Sequence, residues 1–123
     1  MSTQELVDAY FDAVNNHKWE ELASLFHPDV TIQHGMSLTS VGREKAVKLL
    51  TAVVRQFAEH EDIPVRTLID GTVAAIEIRF EGTLPNGTEV EFDAVDFIDT
   101  DGTHITKVAS WYDTAVVVPL IKG

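Results

Sequence analysis

The chain contains no cysteine. That absence removes disulfides, thiolate metal ligands and a thiol nucleophile together. Basic residues are also scarce: 9 Lys and Arg stand against 20 Asp and Glu, for a formal charge of −11. Such a chain repels a phosphate backbone, so nucleic acid is not an expected partner. Long apolar runs are missing too. Residues 73–76 (VAAI) and 115–121 (AVVVPLI) fall far short of the roughly 20 residues of a membrane-spanning helix, and MSTQELVDAY lacks the basic-then-apolar order of a secretion signal. A cytoplasmic protein without a membrane partner is the expectation. The sequence has no glycine-rich phosphate loop, serine nucleophile elbow or dinucleotide fingerprint. His17, His27, His60 and His104 fall at helix ends or turns with no carboxylate set around them. Neither a metal nor an organic cofactor is therefore expected.

What is present is one domain's worth of core. A chain of 123 residues with 45% hydrophobic content fits a single domain, spanning residues 1–123. Ser2 and Glu5 have capping-box spacing, and Leu6, Val7, Tyr10, Phe11 and Val14 recur at helical intervals, which predicts a helix over 3–16. A second, shorter helix starts at Trp19 and ends near Pro28, and Val30, Ile32 and His34 then share one face of a strand. Ser40 or Gly42 starts a third helix. Its stripe is Ala46, Leu50, Val53, Val54 and Phe57, with Arg43 outside. From Ile63 the period changes to two, with turn chemistry at 70–71, 85–87 and 99–102. Four antiparallel strands follow, over about 63–69, 72–83, 88–99 and 104–114. Helices segregated from a meander make an α+β fold, in which a curved sheet can wrap around the helices and leave a hollow.

Polar residues on faces that should be core mark the lining of such a hollow. Asp96 shares its strand face with Val90, Phe92, Ala94 and Ile98, so it is the one inward carboxyl of the acidic stretch 89–99. Tyr10 stands on the first helix's apolar stripe, His34 at the end of the first strand, and Tyr112 and Ser110 share a face with Val108. A buried carboxyl must be hydrogen-bonded, hydrated or protonated. His34 is a candidate general base. The alternative for each is structural: Asp96 ties down a neighbouring Tyr or His, and Tyr10 is core with its hydroxyl bonded. Glu77, Arg79 and Glu81 belong to the outer face, together with Val95 and Phe97, where a dimer contact is one use for them.

Three segments, AYFDAVNNHKWEELASLFHPDVTI, VGREKAVKLL and the meander through FDAVDFIDTDGTHITKVASWYD, resemble the SnoaL-like, ketosteroid-isomerase-like group of the NTF2-like superfamily over nearly the whole chain. The resemblance implies a cone: a strongly curved, mostly antiparallel sheet wrapped around three N-terminal helices, with a deep apolar pocket, commonly in a dimer. In ketosteroid isomerase an aspartate at the end of the first strand moves a proton while a tyrosine and a protonated aspartate hold the enolate oxygen. Carried over, Tyr10 and Asp96 match the oxygen-holding pair, and His34 occupies the base position. The resemblance thus implies an acid/base enzyme of isomerase, cyclase or dehydratase type, acting without a cofactor on a small hydrophobic carbonyl compound. His34, Asp96 and Tyr10 would be catalytic, and the pocket would be lined by Tyr112, Ser110, Val108, Ile76, Ile78, Phe80 and Phe92. The limonene-epoxide-hydrolase arrangement needs an inward Asp-Arg-Asp set, whereas Arg79 has outward parity. A hydrophobic-ligand carrier without catalysis, or a dimeric interaction domain, remains the other reading. The expected homodimer uses the outer sheet face.

Overall fold

The computed structural model describes residues 1–35 and 38–122. Along the chain come α1 (Thr3–Asn15), α2 (Trp19–Leu25), β1 (Phe26–His34), β2 (Leu38–Val41), α3 (Arg43–Val54), β3 (Glu59–Asp70), β4 (Val73–Thr83), β5 (Glu89–Thr100), β6 (Ile105–Trp111) and α4 (Thr114–Lys122). The six strands form one sheet in the order β2-β1-β6-β5-β4-β3. Among the described residues only the β1–β6 pairing is parallel; the β3 to β6 meander is antiparallel throughout. The result is the expected α+β architecture.

Local chemistry starts the first helix. The Glu5 amide donates to Ser2 Oγ at 3.1 Å and the Ser2 amide to Glu5 Oε1 at 3.0 Å, closing the capping box. The apolar stripe of α1 is then buried from Leu6 to Val14. Its core partners include Leu22, Phe26, Ile32, Leu50, Ile76, Ile98 and Val108. A smaller cluster of Phe57, Phe80, Leu84 and Val90, with Phe92 against it, sits apart from this main core. On the outer face of the sheet, Arg66 pairs with Glu77 at 3.2 Å, and Arg79 pairs with Glu91 and, at 3.6 Å, with Asp93.

Several boundaries differ from the expectation, each for a local reason. The second helix ends at Leu25, and Phe26 already opens β1. Residues 38–41 form an edge strand on β1, and Gly42 is the N-cap of α3. Arg43 is half-buried instead of outside: its Nε and Nη2 donate to the Phe26 carbonyl at 3.0 and 2.7 Å, tying α3 to β1. The strand β3 begins at Glu59, four residues early, which places His60 in a strand; the rings of His60 and His17 stack with centroids 5.0 Å apart. The last strand stops at Trp111, and a fourth helix follows that the pattern did not suggest. A Val triplet and an internal Pro argue against a helix there. Asp113 supplies the missing start, its Oδ1 accepting from the Ala115 amide at 3.0 Å and its carbonyl from the Val117 amide at 2.9 Å.

Candidate functional site

The register of the sheet assembles the site. His34 of β1 pairs with Ser110 of β6, and Ser110 with Asp96 of β5, so three polar residues stand side by side in one row across three strands. The neighbouring row is Ile32, Val108, Ile98 and Ala74, all buried apolar residues. Between the sheet and α1, α3 and α4 lies a cavity of about 210 Å³. Tyr10, His34, Asp96, Ser110, Tyr112, Ile78, Phe80 and Phe92 all line it. Val108 and Ile76 do not. Both are fully buried and belong to the main core cluster that also holds Leu6 and Val7.

Burial decides the protonation chemistry. Asp96 is 5% exposed, and burial pushes its carboxyl up to about 7, opposed by the adjacent Ser110 hydroxyl, with the charge of Asp62 raising it further. A carboxyl shifted this far exchanges its proton near neutrality. Tyr10 lies well above the usual phenol value, first through burial and then through the charges of Asp96 and Asp62, so it stays a hydroxyl donor. His34 moves the other way. Burial brings it down to about 4, so the imidazole is neutral at physiological pH and a weaker proton acceptor than Asp96. Its Nδ1 lies 3.0 Å from the Tyr112 hydroxyl, which sits just past the end of β6 and is engaged with the ring instead of standing free. Gly35, at φ 65°, leaves room for this pair: a Cβ there would lie 3.2 Å from the Tyr112 hydroxyl.

A second carboxyl of the cavity, Asp62, was not among the candidate residues. Burial pushes it up to about 6. The turn at 70–71 pairs Asp70 with Val73, and an unbroken ladder from there would set Asp62 opposite Glu81 on the outer face. The register slips between Pro64 and Arg66, however, leaving Val65 as an extra residue. This bulge puts Asp62 opposite inward-facing Phe80. The Asn15 side chain then fixes it, accepting from the Asp62 amide at 2.8 Å and donating to its carbonyl at 2.9 Å. The one sequence signal was Pro64, a residue that a strand tolerates at an edge or a bulge. Among the described residues no group of three or more His, Cys, Asp or Glu is arranged to hold a metal ion.

The SnoaL-like domain family matches residues 7–108. Among solved structures, an NTF2-like protein of unknown function from Burkholderia pseudomallei is 18% identical over 100% of both chains, with a TM-score of 0.89. A putative polyketide cyclase from Xanthomonas campestris is 19% identical, covering 97% of this chain and 96% of its own, with a TM-score of 0.87. A hypothetical protein with a ketosteroid isomerase-like fold from Catenulispora acidiphila, solved in complex with trimethylamine, is 20% identical over 96% and 92%, with a TM-score of 0.85. No curated protein matches. At these identities the likeness speaks for the fold.

Proposed function

Starting from the premise that the chain belongs to the SnoaL-like domain family, we propose that its cavity binds a small hydrophobic carbonyl compound and moves a proton on it, as an isomerase, cyclase or dehydratase does. The observation that carries this reading is Asp96: a buried carboxyl in the cavity wall that Tyr10 also lines, pushed up to about 7 by burial. A base poised near the working pH combines the right protonation state with driving force for the transfer. Ionised Asp96 takes the proton from a carbon next to the substrate carbonyl, and the electron pair moves to the oxygen, where the Tyr10 hydroxyl donates to the enolate. Asp96 is now neutral, so its own charge no longer opposes the enolate, and it returns the proton to the same or another carbon. Removing one preorganised donor of the Tyr10 kind slows such reactions by roughly 10²–10³-fold. His34, neutral and held by Tyr112, orients the substrate instead of serving as the base.

Hydrogen–deuterium exchange at the α-carbons of cyclohexanone, followed by NMR, tests this. The exchange rate of the wild type should rise as pH passes through about 7 and fall to the buffer rate in Asp96→Asn. Equal catalysed exchange in the two proteins would refute the assignment.

The trimethylamine complex of the Catenulispora relative supports a second reading, a cavity that holds a small hydrophobic molecule or amine without transforming it. We also propose a homodimer through the outer sheet face. There Val95 and Trp111 are register partners, and with Phe97 they leave a contiguous apolar patch 37–43% exposed. Light scattering on wild type and Phe97→Glu checks this: a dimer mass that drops to the monomer supports the contact, and a monomeric wild type rejects it.

A further inference from the structure

Asp62 is the titratable group of the cavity that the proton-transfer scheme leaves unused. It stands in one cross-strand row with Phe80 of β4 and Phe92 of β5, whereas Asp96 lies four residues further along β5, about 13 Å at the usual strand rise. The cavity thus has two ends. At the Asp62 end the rings are continuous: Phe57 and Phe80 have centroids 4.8 Å apart, Phe80 and Phe92 4.6 Å, and Phe92 and Tyr112 5.7 Å, and all four line the cavity. Gly82 permits this wall, since a Cβ there would lie 2.9 Å from ring atoms of both Phe57 and Phe80.

The carboxyl oxygens of Asp62 have no hydrogen-bond or ion-pair partner among the described residues; its recorded bonds are those of its backbone with Asn15. No Lys or Arg lines the cavity among them either. Arg43 is engaged with the Phe26 carbonyl, Arg66 and Arg79 with carboxylates of the outer face, and Arg55 is exposed. The remaining titratable groups on the cavity are Tyr10 from α1, His34 from β1, Asp96 from β5 and Tyr112 after β6, and α3 presents only uncharged side chains. None of these is a cation at neutral pH. An anionic ligand would therefore meet carboxyls without a counter-charge. A cation with an apolar coat meets a carboxylate on one side and a wall of aromatic side chains on the other, groups of the kind that recognise alkylated ammonium ions.

We infer that the Asp62 end of the cavity is a subsite for an alkylammonium group, seated against Phe57, Phe80 and Phe92 and paired with Asp62. This rests on the reading of the cavity as the ligand site, and it narrows the substrate class to amine-bearing compounds whose carbonyl reaches Asp96 and Tyr10. A cation bound there favours ionised Asp62, so affinity rises with pH through about 6.

Calorimetric titration with choline and with its neutral isostere 3,3-dimethylbutan-1-ol, at matched ionic strength, tests the inference. At pH 7.5 the wild type should bind choline about tenfold or more tightly than the alcohol, as expected for a desolvated cation on aromatic faces beside a carboxylate. That preference should shrink as pH falls below about 6. Asp62→Asn, which keeps the backbone bonds to Asn15, should bring the two probes level by weakening choline alone. Equal binding of both probes to the wild type overturns the ammonium subsite and leaves the ligand cavity standing. A choline preference that survives Asp62→Asn also overturns it. Binding of neither probe overturns both.

Discussion

The strands β5 and β3 each deliver a carboxyl to the same cavity, and they do so by different means. β5 is an interior strand whose pairing with β4 runs unbroken from Glu89 to Asp99, so Asp96 faces inward by simple alternation. β3 is an edge strand, and alternation alone would turn Asp62 outward; the Val65 bulge and the Asn15 clamp bring it in. The environment of Asp96 therefore belongs to the sheet as a whole, and that of Asp62 to two local devices. A proton-exchanging group is better placed in the first setting. A group that adapts to a ligand's charge suits the second, since a short segment can shift without disturbing the core.

Removing Asp96 should have the largest effect on stability. Its pKa in the folded chain, about 7, lies above that of the unfolded chain, near 4, so the folded state holds the proton more tightly. The resulting stability is fully present below about pH 4 and is lost as pH rises toward 7. Asp96→Asn escapes that loss. At pH 8 it should exceed wild type by about 2–4 kcal/mol in urea denaturation, and at pH 4 the two should agree within about 1 kcal/mol. Identical pH dependence of the two proteins would mean that Asp96 is not buried as described.

Deleting Val65 acts on the other side of the comparison. With the extra residue gone the ladder runs unbroken and still sets Asp62 opposite Phe80, so its titration midpoint, read by carbon NMR, should stay at about 6, and a fall into the ordinary carboxyl range would show that the bulge's own shape, beyond the register it sets, buries Asp62. Asp96 should keep its midpoint. A joint fall of both would show that the two strands are not independent. Asn15→Ala is the mildest change, with an expected loss of about 1–2 kcal/mol for two hydrogen bonds to backbone. Its distinguishing mark is a lowered Asp62 midpoint with the midpoint of Asp96 unmoved. A stability loss without that shift would reduce Asn15 to a packing residue.

The same contrast explains what was legible in the sequence. Alternation singled out Asp96 within an acidic stretch, and helical spacing placed Tyr10, because both elements are regular and face a continuous core. Strand parity also put Arg79 outside, where it pairs with Glu91 and Asp93. Asp62 was not legible, since a bulge reverses parity without a residue type that demands it; Pro64 permits the bulge but does not announce it. The helix α4 was hidden in a similar way, by a Val-rich run whose helicity depends on the Asp113 cap and on burial of Val117 over the cavity. Val108 and Ile76 have the right parity for the cavity, but parity gives only the face of a strand: Val108 stands in the apolar row beside the polar one, and Ile76, although the register partner of Asp96, is packed into the main core. Nor does parity report how far burial moves a titration point. His34 is the candidate base by position, and burial brings it down to about 4, which makes it a weaker proton acceptor than Asp96.

The most direct test of the central claim, that burial makes Asp96 the proton-exchanging group of the cavity, is a carbon-13 NMR titration of the aspartate side-chain carboxyls, with Asp96→Asn as the assignment control. The predicted result is a resonance that vanishes in Asp96→Asn and titrates near 7 in the wild type, above that of Asp62 near 6. A midpoint for Asp96 in the ordinary range near 4 would contradict it.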